Sequence, residues 1–224
     1  MIFDKALSAD EIRAVMQGVV LSEPTGGMAA ATASGTSFAV TDGQVALSGL
    51  AATGTVSVAT AAEALFAGGE NVLAGTLTGA GTLTVADGAS LSLTGGQDFG
   101  GTLDVRAGGA LALVPNANAR VQALTLAEGS SLKVEPVASG TAALVATDAV
   151  TLPSDLTVNL DAAGATAAFS TTLLSSDGGL AGDVSGWTLD AALPANGSWR
   201  VALHKAGGRV VLTAAPSGTC VIFR

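Results

Sequence analysis

From about residue 45 the chain alternates apolar and polar positions in short bursts, and the bursts recur. Leu83 in Thr-Leu-Thr-Val returns as Leu103 in Thr-Leu-Asp-Val, as Leu124 in Ala-Leu-Thr-Leu and as Leu144 in Ala-Leu-Val-Ala. A second series runs Leu91, Leu111, Leu132 and Leu152. Both series step by 20, 21 and 20 residues. Strict alternation over four to eight residues predicts half-buried strands, so each unit holds two of them. Asp87-Gly88, Gly108-Gly109 and Glu128-Gly129 stand between the strands, where glycine supplies the positive φ of a tight corner.

A fixed period of this length signals a solenoid or an array. The units show no helical period, and about 20 residues is too few for a propeller blade. A leucine-rich repeat would carry an Asn or Cys ladder, which is missing. The expectation is a single-stranded, right-handed parallel β-helix, all-β. Its rungs stack roughly 4.8 Å apart, so six or seven make a column roughly 30 Å tall. The two leucine series should form two interior ladders, with Thr82, Thr84, Ser90, Ser92 and Asp104 facing outward. An antiparallel β-sandwich is the alternative, because strands every 8–12 residues also suit that class.

The flanks read differently. Residues 8–17 are a helix candidate: Ser8 and Glu11 form a capping box, Leu7 and Ile12 a hydrophobic staple, and Gly18 a stop. Ile12, Val15, Met16 and Val19 keep helical spacing and must be buried somewhere, either on the start of the solenoid or against a preceding domain. Residues 21–44, rich in Gly, Ala, Thr and Ser, read as a linker and first strands. The repeats then occupy 45–180. Residues 181–224 hold both tryptophans, the sole histidine and four candidate strands: Trp187–Leu189, Trp199–Leu203, Arg209–Leu212 and Val221–Phe223. Ala206-Gly207-Gly208 reads as a hairpin turn. A solenoid end is an unpaired edge, so this segment is expected to be a β cap, with Trp187, Trp199 and Phe223 closing the last rung.

Two family resemblances attach to these residues. Phe3-Asp-Lys-Ala-Leu-Ser-Ala-Asp-Glu-Ile12 resembles the final strand and short helix of laminin-G-like, concanavalin-type lectin domains. This implies that residues 1–20 are the tail of an upstream lectin-like domain. It carries over no lectin site, since the jelly roll itself is not in the chain. Leu93–Leu113, through Phe99, Gly100, Gly101, Val105, Gly109, Leu111 and Leu113, resembles the passenger-associated transport repeat, also called the autotransporter-associated β-strand repeat. That resemblance implies a β-helical stalk in a bacterial surface protein, with no catalytic residues. An outer-membrane barrel and a sorting tail, which such proteins carry, are not seen here.

Composition narrows the function. Among 224 residues, 49% are apolar, 12% charged and 4% aromatic, with no Tyr. Disordered chains are charged and weakly hydrophobic, so the composition argues against disorder of the whole. The net charge is −9, and the nine Lys and Arg are scattered. That disfavours nucleic acid and anionic membrane surfaces. No stretch of about 18 apolar residues could span a membrane. Asp4, Lys5, Asp10, Glu11 and Arg13 interrupt any secretory signal core. For a secreted or cell-surface protein the export signal would then lie upstream. Cys220 is the single cysteine, read as a buried apolar residue, and no internal disulfide can form.

Chemistry is sparse. His204 is the only histidine, so neither a nucleophile–base pair nor a zinc site is expected. Asp87 and Asp104 are 17 residues apart and Asp98 is 11 after Asp87, out of step with the rungs. A glycosidase pair needs two carboxylates on one groove. The rungs otherwise offer only Arg106, Arg120, Lys133, Phe66 and Phe99. No catalytic, cofactor or metal residue is assigned. Asp177-Gly-Gly and Gly182-Asp183 are the minor calcium candidates, read first as solvated turns. Asn196-Gly-Ser fits a glycosylation acceptor or a turn. Trp187 and Trp199 are the candidate glycan-stacking residues. The expected role is a non-enzymatic structural or adhesive stalk whose partner is an extracellular glycan or host surface. A carbohydrate-binding module or a polysaccharide-processing β-helix enzyme is the alternative.

Overall fold

The computed structural model describes residues 37–94, 97–114, 117, 119–134, 143–195 and 198–217. The expected helix 8–17, the strand Val221–Phe223, Asn196 and Cys220 lie outside these residues.

The chain winds through short strands whose apolar residues point inward. In order they are β1 (Phe38–Val40), β2 (Gln44–Ser48), β3 (Ala51–Ala52), β4 (Val56–Val58), β5 (Glu63–Leu73), β6 (Leu77–Gly79), β7 (Thr82–Val85) and β8 (Ala89–Leu93). Then come β9 (Asp98–Val105), β10 (Ala110–Leu113), β11 (Ala119–Leu126), β12 (Ser130–Val134), β13 (Leu144–Ala146), β14 (Val150–Thr151) and β15 (Leu156–Asp161). β16 (Phe169–Ser176), β17 (Leu180–Ala181), β18 (Thr188–Ala192), β19 (Trp199–Ala206) and β20 (Arg209–Pro216) complete the described chain.

All pairing from β1 to β18 is parallel, between strands one turn apart. The result is a parallel β-solenoid of about five regular turns. One face stacks β2, the first half of β5, β7, β9, β11, β13 and β16. A second stacks β3, the second half of β5, β8, β10, β12, β15 and β18. β1, β4 and β6 form a shorter third face.

Periodicity accounts for the regular part. Leu83, Leu103 and Leu124 stand in register in one interior ladder, and Leu91, Leu111 and Leu132 in another. All six are buried. The corner glycines stack with the same step: the Gly88 amide donates to Gly108 and the Gly108 amide to Gly129, each with φ near +70°. An L-residue there would be strained by roughly 1–2 kcal/mol per position, which is why the corner repeats as glycine.

The fourth member of each ladder departs from expectation. Leu144 lies in register with Ala119 and Leu174, not Leu124. Leu132 is followed by Val158, while Leu152 lies outside the strands and its amide donates to Ala181. The cause is a longer turn. Ala119 already pairs with Leu144, a step of 25 reached ahead of β14, and Ser130 pairs with Leu156, a step of 26. Thr157 then pairs with Thr188, a step of 31. Both leucines are still buried, so the apolar pattern survives while the constant period does not.

Thr84 and Ser90 are also less exposed than expected. Thr84 is in register with Leu65 and Asp104 on the outer side, yet it is 0% exposed. Ser90 is 8% exposed.

At the C-terminal end β20 adds antiparallel to β16, and β19 adds antiparallel to β20. The two-residue turn at Gly207-Gly208 joins them, with Gly207 at φ +59°. This hairpin continues one face two strands past β16, and Val210, Leu212 and Ala214 seal the core beneath it.

Candidate functional site

The hairpin end places the two tryptophans differently. Trp187, just before β18, is buried, and its indole N–H donates to the Pro153 carbonyl at 2.9 Å. Its ring therefore packs as core, not as an open platform. Trp199 begins β19 opposite Pro216 and is half-buried. His204, on the same strand opposite Val211, is exposed.

The carboxylates singled out from sequence fall on different columns. Asp98 is in register with Arg120 at the start of β9. Asp104 is in register with Thr84 and Thr125 near its end. Asp87 occupies a corner, beside the backbone of Gly108. The structure instead brings together a pair not considered from sequence. Arg106 Nη2 is 3.4 Å from Glu63 Oε1, and its Nε is 3.4 Å from Asp104 Oδ2. Glu63 also accepts from the Gln44 amide at 2.6 Å. The guanidinium spans stacked turns on the outer face where Thr84 lies, which fits the sealing of Thr84. One guanidinium thus bridges two carboxylates on stacked turns and offsets part of their charge.

The two calcium candidates are engaged within the chain. Asp177 accepts from Arg120 at 2.7 Å. Asp183 accepts from the hydroxyl and the backbone N–H of Ser185. These hydrogen bonds, first the hydroxyl and then the amide, hold its carboxyl below the ordinary value, with Lys205 adding a smaller attraction. Among the described residues no three His, Cys, Asp or Glu side chains converge on a point that could hold a metal.

A concavity lies at the corner between the second and third faces. It is an open cleft of about 590 Å³ whose lining residues include Ser37, Thr53, Thr55, Thr76, Thr78 and Asp98. Ser37, Thr55 and Thr76 each precede the strands β1, β4 and β6, so the register of Phe38, Val56 and Leu77 stacks them. Gln97 closes the floor. It is 4% exposed, and its amide nitrogen donates to the carbonyls of Leu73 and Gly75 at 2.6 and 3.0 Å. Its Oε1 has no partner. Gly75 lies so close to the turn above that a Cβ there would sit 1.8 Å from the Gly54 carbonyl oxygen.

Nothing in the local sequence marked Gln97 or the Glu63–Arg106 pair. Their partners lie 22–43 residues away, and only the stacking joins them. Compared with known protein families, curated proteins and solved structures, the chain matches none.

Proposed function

We propose that this chain is a structural or adhesive module, a β-helical stalk in a secreted or cell-surface bacterial protein, and that it carries out no catalysis. The observation that supports the reading is the pair of leucine ladders stacked through parallel turns. Such a core makes a rod whose length grows by about 4.8 Å per turn, which suits a spacer. The resemblance to the autotransporter-associated repeat points the same way. Its apolar positions Phe99, Val105, Leu111 and Leu113 are all buried. On this reading the segment before residue 21 is the tail of a lectin-like domain that the stalk holds away from the cell.

The reading is tested by surface accessibility. Antibody raised against the purified chain should label intact source cells, and external protease should remove the label. Labelling only after lysis would end the surface assignment. Incubated with uronate, neutral and sulfated polysaccharides, the chain should leave all of them intact. Turnover that disappears in Asp98→Asn or Asp104→Asn would replace the stalk with an enzyme.

Glycan binding is the second reading, favoured by the open corner cleft at Ser37, Thr55, Thr76 and Asp98. Retention of the chain on a neutral glycan column, lost in Thr55→Val with Thr76→Val, would support it.

A further inference from the structure

The β19 edge is a site of a different kind. β19 is bonded to β20 on one side, and among the described residues no strand lies on its other side. It runs eight residues without proline or an irregularity in pairing. Such an edge presents a row of backbone donors and acceptors to any extended segment that approaches. Natural edges are usually blunted; among the described residues β19 has neither a bulge nor a cover, and Lys205 is its one charge on the inner face.

Its side chains sort by face. Val201 and Leu203 share the inner face with Ala214 and Leu212 and are half-buried. Arg200, Ala202, His204 and Ala206 point to the outer face and are exposed, and Arg209 pairs with Ala206 there. From Ala191 to Ser217 the sequence carries Arg200, Lys205 and Arg209 and no Asp or Glu, in a chain of net charge −9. Among the described residues neither Arg200 nor Arg209 has a carboxylate within ion-pair distance. Lys205 differs, because it donates to the Gly182 carbonyl and lies near Asp183.

We infer that the free edge of β19 receives an extended acidic peptide segment as an added strand. Main-chain hydrogen bonds supply the attachment, as in other cases of strand addition. Alternate Asp or Glu side chains of the incoming strand face Arg200 and His204, with Arg209 one strand further in on the same face, and the residues between them are apolar and lie beside Val201 and Leu203. A second copy of β19 fits poorly, because pairing the edge with itself sets cations against cations. The inference does not depend on the stalk role.

The test uses the full chain and a labelled ten-residue peptide of alternating Glu and Val, with alternating Lys and Val as the charge control. Fluorescence anisotropy should show saturable binding of the Glu peptide that weakens with added salt. The double variant Arg200→Glu with His204→Glu changes only exposed side chains. It should lose about tenfold or more in affinity for the Glu peptide and gain binding of the Lys peptide. Amide exchange should slow along β19 only when the Glu peptide is present. Absence of binding would overturn the inference, as would equal binding to both proteins. So would protection of the outward β19 amides without peptide, which would mean that another part of the chain or a second copy already holds the edge.

Discussion

Leu111 lies in register with Leu91, one turn away, and both are sealed from solvent at 1% and 0% exposure. Leu132 follows on the other side, so Leu111 has a leucine above and below it. Leu111→Ala should destabilise the chain by about 2–5 kcal/mol through lost burial and a cavity. Leu111→Asp should abolish the cooperative transition, since a buried, unpaired carboxylate costs several kcal/mol more. Urea unfolding followed by circular dichroism measures both. A Leu111→Asp protein with a native midpoint would remove the ladder from the account of stability.

Two glycines separate steric need from mere turn preference. At Gly75 a Cβ would meet the Gly54 carbonyl oxygen at 1.8 Å, and backbone on both sides must move. Gly164 has open space and no positive φ. Gly75→Ala should therefore lower the unfolding midpoint markedly. Gly164→Ala should leave it unchanged or raise stability by about 0.4–1 kcal/mol, by restricting the unfolded chain. Equal effects would contradict the close stacking of the corners.

These glycines also show what the sequence could disclose. Gly88, Gly108 and Gly129 repeat at the leucine step because corner and core are both set by the length of one turn. That made the parallel stack legible. Leu144 and Leu152 kept the step in sequence and lost it in space. The turn there is 25–26 residues long, and the apolar pattern does not set its length. The corner cleft was illegible for another reason. Gln97 reads as an ordinary polar turn residue until stacking brings the carbonyls of Leu73 and Gly75 onto its amide. Arg106 and Glu63, 43 residues apart, share no local signal at all.

Asn71 is another residue whose role only stacking reveals. It is 1% exposed, its Oδ1 accepts from the Leu50 amide, and its Nδ2 donates to Gly68, Gly69 and Ser90. Asn71→Asp keeps the shape and removes the donor, setting a carboxylate against three carbonyl oxygens. Each buried group left unsatisfied costs about 1–3 kcal/mol, so both Asn71→Asp and Asn71→Ala should be destabilised by at least about 2 kcal/mol at neutral pH. Denaturant midpoints within error of the parent would show that the side chain is dispensable.

Asp183 gives the one pH dependence with a defined sign. Its carboxyl titrates below the ordinary value because Ser185 hydrogen-bonds the ionised form. A depressed folded value means that the contribution is present above the unfolded value of about 3.9 and fades as pH falls through the folded one. Carbon-detected NMR titration should place Asp183 below the ordinary aspartate value. Ser185→Ala should bring it back toward that value, and a titration unmoved by that change would reject Ser185 as the cause.

The tryptophans divide the hairpin end into a sealed part and an open part, and fluorescence can read each alone. In Trp199→Phe the only emitter is Trp187, buried and bonded to the Pro153 carbonyl. Its emission should be blue-shifted and resist quenching by iodide or acrylamide. In Trp187→Phe the emitter is the half-buried Trp199, whose emission should lie further to the red and quench readily. The stabilities should differ in the opposite sense. Trp187→Phe loses packing and leaves the Pro153 carbonyl without its donor, a cost of about 1–3 kcal/mol for the carbonyl alone. Trp199→Phe gives up only part of a half-buried ring. A sugar that shifts the emission of the Trp187→Phe protein would place a glycan on Trp199. A sugar that shifts the emission of the Trp199→Phe protein would mean that the buried ring opens to solvent, against the packing described.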